Sequence, residues 1–113
     1  MPEPSILNAI WDVIQSRKST PTSEPSYVAG LLRGGVEKIG AKVLEEAAEV
    51  VEAAGEPGDA GARHLTHEAA DLVFHLMVLL GRADIPWNAV EAELARRFGT
   101  SGIVEKQSRG TPK

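Results

Sequence analysis

The chain has 113 residues, enough for one small domain with its own core. Lys and Arg number 12 against 16 Asp and Glu, a formal charge of −4, which argues against a protein that coats nucleic acid. With no cysteine there is no disulfide, thiolate metal site or nucleophilic thiol, and no apolar run reaches membrane-spanning length. Aromatic residues make up only 4%, so the core must be aliphatic. The first residues carry no basic stretch followed by an apolar segment. The expected address is therefore the cytoplasm, with no membrane and no nucleic-acid partner.

Residues 5–18 read as a helix capped by Ser5, with Ile6, Leu7, Ile10, Trp11 and Ile14 at helical spacing. Residues 19–25, rich in Ser, Thr and Pro, form a loop. A short helical run over 26–32 is interrupted by Arg33-Gly34-Gly35. A strong helix follows over 36–54 and stops at Gly55 and Pro57. A second long helix covers 59–82. A third covers 86–98, with Asp84 as its cap and Pro86 in its first turn. Residues 99–113 are polar and aperiodic, and read as a mobile tail or a segment ordered by ligand.

No stretch alternates as a strand does. The fold class is all-α, a helical bundle in which the two long helices, joined by a short loop, lie antiparallel. The helix over 59–82 is apolar almost all round. Leu65, Leu72, Leu76 and Leu79 mark one side, and Val73, Phe74, Met77 and Val78 mark others. One chain of this size has too few elements to cover it, so a homodimer that completes the bundle is expected. Trp11 and Trp87 read as packing residues.

The chemistry lies in Glu45-Glu46-Ala47-Ala48-Glu49 and Glu68-Ala69-Ala70-Asp71. On the first long helix the apolar stripe is Val36, Ile39, Val43, Ala47, Val50 and Ala54. Glu46 and Glu49 fall roughly 60° and 120° to one side of it. On the second, the stripe is Leu65, Ala69, Leu72, Leu76 and Leu79, and Glu68 and Asp71 take similar offsets of about 60° and 120°. Helices packed through these stripes bring four carboxylates to one place. Taken alone, Glu-Glu-x-x-Glu reads as a solvated face, since Glu is a good helix former. Asp71 changes that reading. It is a poor helix former set between Ala70 and Leu72, and it needs a compensating partner.

Four converging carboxylates need a counter-charge. An oxygen-only set selects a hard divalent cation, Mg²⁺ first and Mn²⁺ as its substitute. The chemistry implied is metal-assisted hydrolysis of a polyphosphate. Lys42, Lys38 and Arg33 would then neutralise phosphate oxygens. His75 shares the carboxylate flank and is placed to hydrogen-bond one of them. His64 and His67, at the helix start, read as solvated, as do Glu52 and Glu56.

Glu-Glu-x-x-Glu followed by Glu-x-x-Asp on the next helix resembles the signature of the MazG-like all-α nucleotide pyrophosphohydrolases. Within that group the chain is similar to the phosphoribosyl-ATP pyrophosphohydrolases of histidine biosynthesis. The resemblance is carried by Ser26-Tyr27-Val28, by residues 35–49 with their Lys-Ile-x-x-Lys-Val element, by 68–80, and by the tail Ser101-Gly102-Ile103-Val104-Glu105-Lys106. Phe74 departs from the Tyr often found there.

The resemblance implies hydrolysis of phosphoribosyl-ATP to phosphoribosyl-AMP and pyrophosphate, a helical homodimer, and dependence on Mg²⁺. It makes Glu46, Glu49, Glu68 and Asp71 the metal ligands and sets Glu45 beside them, in reach of the attacking water. Glu45, Glu46 and Glu49 are the catalytic candidates. Two alternatives stay open. One is a related house-cleaning pyrophosphatase of dUTP or another nucleoside triphosphate. The other is a non-catalytic helical dimerisation module.

Overall fold

The structure is a computed structural model and describes residues 5–19 and 26–99. Apart from Gly99, the predicted tail lies outside the described residues, as does most of the predicted 19–25 loop. Among the described residues there are four helices and no strand: α1 (Ile6–Ser19), α2 (Tyr27–Ala54), α3 (Gly58–Arg82) and α4 (Trp87–Phe98). The all-α expectation holds. None of the described helices is long and apolar enough to cross a membrane.

Local chemistry sets the helix ends. Ser5 Oγ accepts from the Leu7 N–H at 3.0 Å, and Ser26 Oγ accepts from the Ala29 N–H at 3.2 Å, each satisfying an orphan donor. The predicted interruption at Arg33-Gly34-Gly35 is present as a break within α2, where Gly35 adopts φ 68, ψ −163. That conformation is essentially restricted to glycine. It divides α2 into a short leg, 27–34, and a long leg, 36–54.

Asp84 does not cap α4. It sits just past the C-terminus of α3 with φ 61. Its N–H donates to the Gly81 carbonyl at 3.0 Å, and the Ile85 N–H donates to the Leu80 carbonyl at 2.9 Å. This pair of bonds is a Schellman stop, which uses a left-handed residue, and Asp tolerates that conformation better than most. α4 starts at Trp87, one residue later than predicted, with extended Pro86 before it and no side-chain cap. The Asp84 carboxylate is held instead by Lys18 of α1 at 2.5 Å. Lys18 Nζ also donates to the Gly81 and Arg82 carbonyls at 3.1 and 3.0 Å, placing a cation on the negative end of α3. Lys18→Met is expected to cost about 1 kcal/mol in urea denaturation, the upper end for an exposed helix-terminal cation. An unchanged midpoint would show the bridge to be idle.

The core is aliphatic, as composition requires. Ile14 of α1, Val28, Leu31 and Ile39 of α2, and Met77 and Val78 of α3 form it, with Trp11 and Trp87 packed at its edge. α1 crosses α3 at Gly81, where a Cβ would lie 2.6 Å from Ile14 Cγ2. α2 and α3 form the main pair.

The seam between them differs from the predicted stripe. Its buried line on α2 is Ile39, Glu46 and Ala53, and on α3 it is Gly61, Glu68 and His75, each at seven-residue spacing. Val36 and Ala54, expected inside, are exposed. The apolar arc of α2 is wider than one helix can cover, and α3 takes only its Glu46 edge. The other edge leaves Leu44 and Val51 each 74% exposed.

Candidate active site

The seam carries Glu46 and Glu68 at its centre rather than at its border, with Glu49 and Asp71 half-buried beside them and Glu45 exposed. α2 contributes Glu45, Glu46 and Glu49, whose ligand atoms lie within 4.8 Å of one another, and α3 contributes His67, Glu68 and Asp71 in a group of the same span. Glu46 is only 5% exposed and Glu68 only 7%. Antiparallel pairing about the Gly55–Pro57 connection sets them face to face.

The electrostatics follow. Burial pushes the Glu46 carboxyl above the ordinary carboxylate range. The adjacent Glu68 carboxyl and the charge of Asp71 push in the same direction, while Glu49 opposes them. Burial also raises Glu49, and the charge of Glu46 adds to it. Glu46 Oε2 is buried with no hydrogen-bond donor in reach. A buried carboxylate oxygen facing other carboxylates is costly unless a cation sits among them. The other three predicted ligands, Glu49, Glu68 and Asp71, thus all act on Glu46. Their oxygen-only donor set fits a hard divalent cation.

A pH dependence follows for the metal-free protein. Glu46 and Glu49 hold protons more tightly folded than unfolded. Their contribution to stability is therefore full below the ordinary carboxylate range and is lost as pH rises through the raised folded values. Comparing melts in EDTA, the advantage of Glu46→Gln over wild type should grow as pH is raised from about 5 to about 7. A pH-independent difference would contradict the buried, repelled state of Glu46.

The three basic candidates separate into two places. Lys42 Nζ lies 2.6 Å from Glu45 Oε1 and 3.8 Å from Glu46 Oε1, within the acidic group. The hydrogen bond from Lys42 holds the Glu45 carboxyl below its ordinary range, so Glu45 stays ionised. Lys38 runs over Gly34, and its Nζ donates to the Gly30 carbonyl at 3.4 Å. Arg33 reaches the same place, its Nη2 lying 3.8 Å from a Cβ built on Gly30. The Arg33 and Lys38 side chains therefore gather over Gly30 on the short leg of α2, whereas Lys42 pairs with Glu45 and Glu46.

His75 is 5% exposed and touches no carboxylate side chain by hydrogen bond. Its Nδ1 lies 2.8 Å from the Asp71 backbone carbonyl, a pure acceptor, so Nδ1 carries the proton. Nε2 then accepts from the Tyr27 hydroxyl at 2.6 Å. Tyr27 also stacks on Phe74 with ring centroids 6.2 Å apart. The contact ties the short leg of α2 to the turn of α3 that carries Asp71. Sequence reasoning gave Tyr27 no role beyond the resemblance. It is separated from His75 by 48 positions, and nothing local signals the pair.

His64 and Glu56 are not simply solvated. His64 Nδ1 lies 2.9 and 3.0 Å from the two Glu56 carboxylate oxygens, and Nε2 lies 3.2 Å from Glu68 Oε2. The Glu56 hydrogen bond raises the His64 pKa above its ordinary value. His67 keeps an exposed position, with Nε2 3.3 Å from Asp71 Oδ2.

A family model described as phosphoribosyl-ATP pyrophosphohydrolase matches residues 7–98, a span that includes every candidate site residue. The chain belongs to the phosphoribosyl-ATP pyrophosphohydrolase family. Relatives named phosphoribosyl-ATP pyrophosphatase are similar over nearly the whole chain. One from Rhodopirellula baltica is 46% identical over 114 residues, covering 100% of this chain and 94% of its own. One from Trichlorobacter lovleyi is 53% identical over 104 residues, covering 92% and 93%. One from Neisseria meningitidis serogroup B is 50% identical over 105 residues, covering 93% and 94%. Membership in the phosphoribosyl-ATP pyrophosphohydrolases agrees with the resemblance read from Ser26-Tyr27 and the paired carboxylate motifs. It leaves the dimerisation-module alternative without support.

Proposed function

We propose that this chain hydrolyses phosphoribosyl-ATP to phosphoribosyl-AMP and pyrophosphate, the second step of histidine biosynthesis, with Mg²⁺ held by Glu46, Glu49, Glu68 and Asp71. Mn²⁺ is the expected substitute. The observation that carries the reading is Glu46 Oε2, buried without a donor among carboxylates. Family membership supplies the substrate. A bound divalent cation supplies charge neutralisation for the polyphosphate and eases ionisation of water at the site.

The chain's own groups do the rest. Glu45, kept ionised by Lys42, is the base that takes a proton from the attacking water. The water oxygen attacks phosphorus at the α–β linkage, and the bond to the pyrophosphate oxygen breaks. Lys42, two-thirds shielded and already at the acidic group, shares the charge that builds on the leaving pyrophosphate. Arg33 and Lys38 bind a substrate anion remote from the scissile linkage. A second copy of the chain covers the apolar edge of α2 at Leu44 and Val51, giving the homodimer. The cytoplasm is the compartment that suits a biosynthetic enzyme without a membrane-spanning helix among its described residues.

The test is pyrophosphate release from phosphoribosyl-ATP, dUTP and ATP, with Mg²⁺ and with EDTA. Turnover of phosphoribosyl-ATP alone, abolished by EDTA, is the expected result. Faster turnover of dUTP would transfer the chain to a house-cleaning role.

A further inference from the structure

The connection between α2 and α3 has an arrangement that helix pairing alone does not require. Gly61 lies inside the first turns of α3 and is buried, although glycine costs about 1 kcal/mol against alanine in a helix. A Cβ at Gly61 would run into the backbone carbonyl of Glu56. The missing side chain lets the connection fold down onto α3. Gly58, with φ 73, makes the reversal, and the Gly61 N–H reaches the Pro57 carbonyl at 3.3 Å.

The result is a chain of contacts leading into the seam. Glu56 grips His64 Nδ1 with both oxygens, at 2.9 and 3.0 Å. His64 Nε2 meets Glu68 Oε2 at 3.2 Å. His67 makes the analogous i,i+4 contact with Asp71 but lacks a second anchor, and its side chain is 70% exposed. Of these two histidines, His64 alone is fixed from both sides among the described residues. Residues that hold a metal ligand in orientation commonly matter 10- to 100-fold for metal affinity, by about that range.

We propose that the α2–α3 connection is part of the metal site: Glu56, seated against Gly61, holds His64, and His64 orients the Glu68 carboxylate toward a divalent cation. His64 is a positioning residue; it touches neither substrate nor the reacting atoms. One oxygen of Glu68 is fixed by His64, which leaves the other for the seam. The inference rests on the metal site proposed above.

The experiment is a Mg²⁺ titration of the full chain followed by thermal shift, without substrate. Wild type should be stabilised by Mg²⁺. His64→Ala should raise the half-saturating Mg²⁺ concentration by about 10- to 100-fold, and His64→Gln, which keeps one donor, by less. Glu56→Ala should raise it in the same direction, and should add nothing in the His64→Ala background. Four results would overturn the proposal. No response of wild type to Mg²⁺ removes the metal site itself. A responsive wild type with unchanged half-saturation in both single variants removes only the positioning role, even if their metal-free melting temperatures fall. Tighter Mg²⁺ binding by His64→Ala would make His64 a competing counter-charge. A Glu56 effect that persists without His64 would break the relay.

Discussion

Glu46→Gln is expected to lower pyrophosphate release from phosphoribosyl-ATP by more than about 100-fold, the upper end of what a group one step removed from a metal costs. Glutamine keeps the volume and helix propensity of glutamate, so packing in the seam is retained. What is lost is the charge at the most buried point of the acidic group. At 5% exposure that charge has little water to stabilise it, and the charges of Asp71 and Glu68 repel it. In the proposed metal site, the anion is kept at this costly position to bind the cation. The same substitution should therefore raise the melting temperature in EDTA and abolish most of the stabilisation by Mg²⁺. The opposed signs are the test. Full turnover by Glu46→Gln, or a melting temperature that falls in EDTA, would remove Glu46 from the site.

The legible and illegible parts of this molecule divide by the range of the interaction. Helix ends set by one side chain, such as Ser5, are readable because donor and acceptor are neighbours in sequence. So is the break at Gly35, since two consecutive glycines have few other uses in a helical pattern. The carboxylate set was legible because Glu46, Glu49, Glu68 and Asp71 repeat one spacing on two helices, and because Asp71 is out of place in an apolar helix.

The depth of the site was not legible. The periodicity of α2 fixes a direction for its apolar arc but not which edge α3 will occupy, so Glu46 was expected at the border and lies in the seam. Tyr27 and His75 meet only because the short leg of α2 folds back across α3. Glu56 reaches His64 only because the connection closes on Gly61. His64-x-x-x-Glu68 at helical spacing was the available signal for that contact, and a glycine at position 61 was its companion. Asp84 fitted two rules in the sequence, helix cap and left-handed stop, and the Schellman bonds, together with the Lys18 ion pair, decide for the stop.

Gly35→Ala should have the largest effect on stability of any single methyl group added to α2. At φ 68, ψ −163 the backbone lies where residues with a Cβ are strained by roughly 1–3 kcal/mol. Space is not the obstacle, because the nearest atom to a built Cβ is Arg82 Nε at 3.9 Å. The cost is conformational, and the chain can relieve it only by straightening α2 through the break. Straightening swings residues 27–34 away from α3. That would break the 2.6 Å bond between Tyr27 and His75 and carry Arg33 from its present place. The long leg, with Glu45, Glu46 and Glu49, stays paired to α3. Gly35→Ala is thus expected to unfold at lower urea and to raise KM for phosphoribosyl-ATP, while keeping its thermal response to Mg²⁺. Loss of the Mg²⁺ response together with the rise in KM would mean that the break shapes the carboxylate group as well. Wild-type stability would mean that the left-handed conformation at Gly35 carries no strain for alanine, against its geometry.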